Sequence, residues 1–205
     1  VDSGDPFETM ARLMTQTAAD LRLRGRRIGY EGGFEFIAAP YVSAEPGVIS
    51  GRTLKILRET LGDTLVDATD LFHSQRLIKT PQEIERLRTV NEIARLGLEA
   101  FFANVVPGRS EIEVAAAVES AIMVGGTGRK GVKVARSWAS VMSGPRAAES
   151  YKPHLLSTMR RLAEGDMAVL ELAVVAGGWW ADLTRTRVAG HARPEDRERW
   201  QAVVE

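Results

Sequence analysis

The chain has 205 residues, which sets a prior of one to two domains, and its 44% hydrophobic and 26% charged content is ordinary for a globular protein. Lysine plus arginine number 27 and aspartate plus glutamate number 27, so a zero net charge argues against binding nucleic acid through bulk positive charge. Cysteine is absent, which excludes disulfide scaffolds, iron–sulfur clusters and thiolate zinc sites.

The opening VDSGDPFETM is acidic and has no apolar core, so no secretory signal is expected. The longest apolar runs, around Met167 to Ala176, are interrupted by Glu171 and fall short of the roughly 20 residues of a membrane span. A cytoplasmic protein without membrane or nucleic-acid partners is the expectation. The chain starts at Val1 and stops at Glu205 inside an amphipathic stretch, and it reads as a piece of something longer.

Residues 6–24 have helical spacing, with Phe7, Met10, Met14, Ala18 and Leu21 on one face. Residues 27–31 read as a short strand. Pro40 and Pro46 block long regular structure over 34–49. Helical spacing returns over 51–61, followed by a strand at 64–67 and a short helix at 69–76. Strands alternating with helices suggest an α/β unit, assigned to residues 1–76.

A second unit, 77–205, opens near Lys79. Thr80-Pro81-Gln82-Glu83 is a strong helix start: a capping hydroxyl, a proline at the first position and a glutamate closing a capping box. Pro107-Gly108-Arg109 ends that helix, and Ser110-Glu111-Ile112-Glu113 repeats the box for a helix through Val124. Two such helices joined by a short break are usually antiparallel. Gly126-x-Gly128-x-x-Gly131 matches the dinucleotide fingerprint as text. A helix precedes it and a strand follows, the wrong order for phosphate binding at a helix N-terminus, so it reads as a connector. Arg129, Lys130, Lys133 and Arg136 read as a solvated basic patch. Residues 132–142 form a strand and 145–163 are irregular.

The informative segment is 167–188. Two strand-like runs, 167–175 and 178–188, flank Ala176-Gly177, a hairpin signal. With 176 and 177 as the loop, Glu171 faces Asp182 directly, with Cβ atoms about 4.5–5.5 Å apart. The neighbours are apolar, which places the pair in a low dielectric. Two buried like charges cost several kcal/mol, in order of magnitude, unless a shared proton, an arginine or a metal ion neutralises them. Arg185 points to the other face. A divalent ion would turn the repulsion into a site. Alternatively both acids face water, or a three-residue loop separates them.

Residues 165–190, GDMAVLELAVVAGGWWADLTRTRVAG, resemble the first metal-binding hairpin of the pita-bread metallopeptidases. This family comprises Xaa-Pro aminopeptidases, Xaa-Pro dipeptidases (prolidases) and methionine aminopeptidases. Asp182-Leu183-Thr184-Arg185 matches the second acid and its flank, and Glu171 stands at the first. KTPQEIERLR (79–88) resembles the start of the catalytic domain. Ser143-Gly144-Pro145 with Pro153-His154 resembles the segment carrying a substrate-side histidine. Residues 26–31 and 64–78 resemble the end of the N-terminal domain of the Xaa-Pro branch and of creatinase.

The resemblance implies an α/β (α+β) chain: a remnant of a creatinase-type N-terminal domain, then the first half of a pita-bread catalytic domain. It implies two divalent ions (Mn, Co, Fe or Zn) sharing a water, with Asp182 bridging both and Glu171 binding one. His154 would donate to the substrate or its oxyanion. The substrate would be a peptide with proline at the second position, and the assembly a homodimer. Two departures stand out. Glu171 occupies a position where the family usually has aspartate, and the family's later histidine and two glutamates have no counterpart here. His191 is too close to Asp182 for that role, and His73 reads as structural or solvent-facing. The chain alone is therefore expected to be inactive. A metal-free creatinase-like hydrolase and a non-catalytic binding protein remain alternatives.

Overall fold

The computed structural model describes residues 5–32, 51–62, 64–152 and 156–204. The irregular stretch expected at 34–49 lies outside them. The chain divides into two compact units, Val1–Lys79 and Thr80–Glu205.

In the first unit, helix α1 (Pro6–Asp20) starts on Asp5, whose carboxylate accepts from the Phe7 amide. It packs on α2 (Gly51–Leu61). Strands β1 (Ile28–Tyr30) and β2 (Leu65–Asp67) pair in parallel, and α3 (Thr69–Leu77) follows. Helix α1 stops four residues before the position its apolar spacing suggests, because Arg22 adopts a positive φ of 53° that an α-helix does not allow.

In the second unit, helix α4 (Pro81–Asn104) carries the full capping box: Thr80 Oγ1 accepts from the Glu83 amide, and Glu83 accepts from the Thr80 amide. Helix α5 (Glu111–Gly126) repeats it with Ser110 and Glu113. The two helices run antiparallel and very close. A Cβ on Gly97 would meet Ile122 Cδ1 at 2.6 Å, and one on Gly126 would meet Ile93 Cγ2 at 2.6 Å. Gly126 is therefore a packing glycine inside α5, not part of a connector. Of the other glycines of the fingerprint-like text, Gly128 precedes a single 3-10 turn (Arg129–Gly131) and Gly131 ends it.

Strands β3 (Ala135–Ser143), β4 (Met167–Ala176) and β5 (Trp179–Val188) form an antiparallel sheet in that order. Helix α5 lies against β3, and α4 against β4 and β5. Strand alternation sorts the sheet into two faces. Ala168, Leu170, Leu172, Val174 and Ala176 face the helices with Val141 and Ala181, and join Val90, Ile93, Phe101, Val118 and Ile122 in the main core. Arg187, on the same side of β5, lays its guanidinium over the Phe102 ring of α4, 5.6 Å from its centroid. Helix α6 (Pro194–Val204) closes the described chain. Among the described residues no helix is long and apolar enough to cross a membrane.

Candidate metal centre

The other face of the sheet carries the acids, and the hairpin turn fixes where they stand. The two-residue loop is Gly177-Gly178, with φ of +60° and +80°, and Ala176 pairs with Trp179. A tight hairpin turn of this kind needs positive φ at both central residues, which two glycines supply without strain and alanine does not. The expected loop at 176 and 177 is thus corrected by one residue. Glu171 stands opposite Thr184, and Asp182 opposite Ala173. The pair is diagonal rather than direct, a spacing of roughly 7–8 Å in a generic sheet.

Both acids still share one face. Shifting a two-residue loop by one position moves the partner by two residues, which preserves the side of the sheet. The burial expected for the pair does not hold: both residues are exposed. Their apolar neighbours Leu170, Leu172 and Val174 point to the helices instead.

The acids nevertheless feel each other. The Glu171 carboxyl is pushed above its usual range, first by burial of its carboxyl end and further by the charge of Asp182. A hydrogen bond from Thr184 pulls the other way; Thr184 Oγ1 donates to Glu171 Oε2 at 2.5 Å.

The surroundings of the pair are asymmetric. Ser140 of β3 lies opposite Glu171 on its other side. At one end of the face, Met142, Val169 and Ala147 form a small apolar cluster under the 3-10 turn Gly144–Glu149. At the other end the rings of Trp138 and Trp180 stack with centroids 5.4 Å apart and planes 9° from parallel. Such pairs contribute about 0.5–1.5 kcal/mol beyond the area they bury. Trp179 is on the helix face, packed against the core.

A divalent cation suits this pair chemically. Two hard carboxylate donors lie close enough to repel, and one oxygen of Glu171 is already oriented by a hydroxyl. Two donors are fewer than such ions take. Among the described residues no group of three or more histidines, cysteines or acids could hold a metal. His154 lies outside the described residues. His191 is a solvent-exposed loop residue beside Glu164, with Nδ1 3.1 Å from Glu164 Oε1. His73 is in the first unit, 4.0 Å from Glu31. The basic patch is partly neutralised, since Lys130 Nζ donates to Glu92 at 2.7 Å.

A second carboxylate was not singled out by its sequence context. Glu111, the first residue of α5, is fully buried. Its Oε1 accepts from the Ser143 amide at 2.8 Å and the Ser143 hydroxyl at 2.9 Å. Its Oε2 accepts from the Thr158 amide at 2.9 Å and the Thr158 hydroxyl at 2.6 Å. Burial pushes its pKa up, but these donors outweigh burial and hold the carboxyl below its usual range. Arg146 Nε adds a charge 3.3 Å away, outside hydrogen-bond geometry. Beside it, Arg160 bridges the Ser143 hydroxyl and Asp166, 2.7 Å from each. Together these bonds tie the end of β3, the 156–161 segment and the start of β4 to the N-terminus of α5. That anchoring sets where β4, and so Glu171, lies.

Comparison with known proteins decides the family. Metallopeptidase family M24 is matched over residues 85–205. The chain belongs to metallopeptidase family M24. An Xaa-Pro dipeptidase of Pyrococcus furiosus is 31% identical over 136 residues, 66% of this chain and 37% of that protein. The probable dipeptidase PepE of Mycobacterium tuberculosis is 32% identical over 157 residues, 74% of this chain and 38% of that protein. The chain thus spans well under half the length of these relatives. Among solved structures, the X-Pro aminopeptidase of Thermotoga maritima matches 100% of this chain and 50% of its own with a TM-score of 0.69 at 22% identity. The prolidase of Pyrococcus furiosus matches 77% of this chain and 44% of its own with a TM-score of 0.60 at 27% identity. The mixed helix-and-strand architecture is that of the pita-bread M24 peptidases, and it covers part of that larger fold. Membership of the family implies divalent metal ions in general.

Proposed function

We propose that this chain supplies the first two acidic ligands, Glu171 and Asp182, of a divalent-metal exopeptidase that cleaves Xaa-Pro bonds. The observation that carries the reading is the diagonal pair itself: two interacting carboxylates on the sheet face turned away from the main core. Relatives named Xaa-Pro dipeptidase and structural neighbours named prolidase support the substrate class.

In this reading residues 1–76 belong to a creatinase-like N-terminal domain and 77–205 to the first half of the catalytic domain. Asp182 and Glu171 would hold the ions, with Thr184 keeping Glu171 in place. Oxygen donors leave Mn, Co, Fe and Zn all open, manganese included. The chemistry that such ions supply when bound is the acidification of a water for attack on a peptide carbonyl near neutral pH. His154 would donate a hydrogen bond to the substrate. The working protein would be a cytoplasmic homodimer. These 205 residues alone would be inactive.

The test is metal analysis of the native-length protein, followed by hydrolysis of proline-containing dipeptides with and without a chelator. The reading predicts bound divalent metal and activity that a chelator abolishes. Activity surviving complete metal removal would favour a metal-free creatinase-like hydrolase. Absence of both metal and activity would favour a non-catalytic binding protein.

A further inference from the structure

The acid-bearing face ends in an aromatic wall that no metal ligation requires. Trp138 and Trp180 come from β3 and β5, with β4 between them. Neighbouring strands are about 4.8 Å apart, so the two indoles must lean toward each other over β4 to reach a centroid distance of 5.4 Å. Small Ala173 lies directly between Trp138 and Asp182 in the register, and Val175 lies opposite Trp180. Trp180 is two residues from Asp182 on the same strand face and remains 42% exposed. A tryptophan needed only for packing would gain more by facing the core, as Trp179 does.

From this we propose that the Trp138–Trp180 stack is a specificity wall. It receives a large apolar side chain, such as phenylalanine or leucine, on the peptide residue that precedes proline. The inference rests on the Xaa-Pro reading above and deepens it. A peptide whose reacting carbonyl sits over the carboxylates has the indole pair as the adjoining apolar surface, and aromatic rings exposed beside a polar site characterise binding surfaces.

The experiment compares Gly-Pro, Leu-Pro and Phe-Pro as substrates of the metal-loaded, native-length protein. It uses the wild type, Trp180→Thr, Trp180→Phe and Trp138→Ala, with the melting temperature of each. Threonine suits an exposed strand position, so Trp180→Thr is expected to fold. The wild type should prefer Phe-Pro to Gly-Pro in kcat/KM. Trp180→Thr should shrink that ratio by about tenfold, the scale of apolar pocket discrimination. Trp138→Ala should shrink it in the same direction, and Trp180→Phe should retain most of it. An unchanged ratio in Trp180→Thr overturns the wall, and so does an equal loss for all three peptides accompanied by a lower melting temperature. A wild type that hydrolyses none of the three sinks the Xaa-Pro reading instead, so the two failures are told apart.

Discussion

Glu111 and Glu171 contrast two ways in which the second unit treats a carboxylate. Glu111 is fully buried yet held below the usual carboxylate range, because two amides and two hydroxyls converge on it. Glu171 is exposed as a residue yet raised, because burial of its carboxyl end and the charge of Asp182 together outweigh its single hydroxyl donor. Donors, more than depth, decide whether a carboxylate is content with its charge. The first arrangement is a structural anchor that is complete in itself. The second is an arrangement that a cation would complete.

The largest effect should follow from breaking the anchor. Glu111→Ala leaves the buried amide of Ser143 and the half-buried amide of Thr158 without their acceptor, and should lower unfolding stability by about 3–5 kcal/mol in denaturant titration. The anchor also has a pH signature. Its folded-state pKa lies below the usual value of 4.5, so its contribution is fully present above that value and fades as pH falls through the depressed folded pKa. Melting temperatures below about pH 4.5 should therefore fall more steeply in the wild type than in Glu111→Gln.

The acid pair should respond in the opposite sense. Addition of Mn2+ at tenfold over its dissociation constant should stabilise the native-length protein by about 1.4 kcal/mol in thermal melts. Asp182→Asn should abolish that response. Gly178→Ala should cost about 1 kcal/mol through its +80° φ alone, since a Cβ there meets nothing within 4 Å. The smallest effect sharpens the contrast most. Glu171→Gln in the absence of metal should raise stability at neutral pH by a few tenths of a kcal/mol, because it relieves a like-charge pair. Removal of Glu111 should never stabilise.

The two carboxylates also differ in how far they could be read from sequence. Strand alternation placed Glu171 and Asp182 on one face under any two-residue loop, which is why that expectation survives a register error. The error came from Ala176-Gly177-Gly178, where two adjacent pairs fit a hairpin. The demand for positive φ at both positions selects Gly-Gly. The expected burial failed for a related reason: the apolar residues beside Glu171 in sequence lie on the opposite face by the same alternation. The capping boxes at Thr80 and Ser110 were legible because each is completed within four residues. Glu111 was not, because its donors come from Ser143 and Thr158, 32 and 47 residues away. Nor was the Trp138–Trp180 stack, which requires knowing that β3 pairs with β4. The Asp-x-Thr text around Asp182 did hold a signal for Thr184, whose hydroxyl reaches Glu171 only through the corrected register.

The central claim, that Glu171 and Asp182 act together on one cation, is tested most directly by calorimetric Mn2+ titration of the native-length wild type, Glu171→Gln, Asp182→Asn and the double variant. Joint ligation predicts that each single change weakens binding nearly as much as the two combined. Undiminished Mn2+ affinity in the double variant would contradict it.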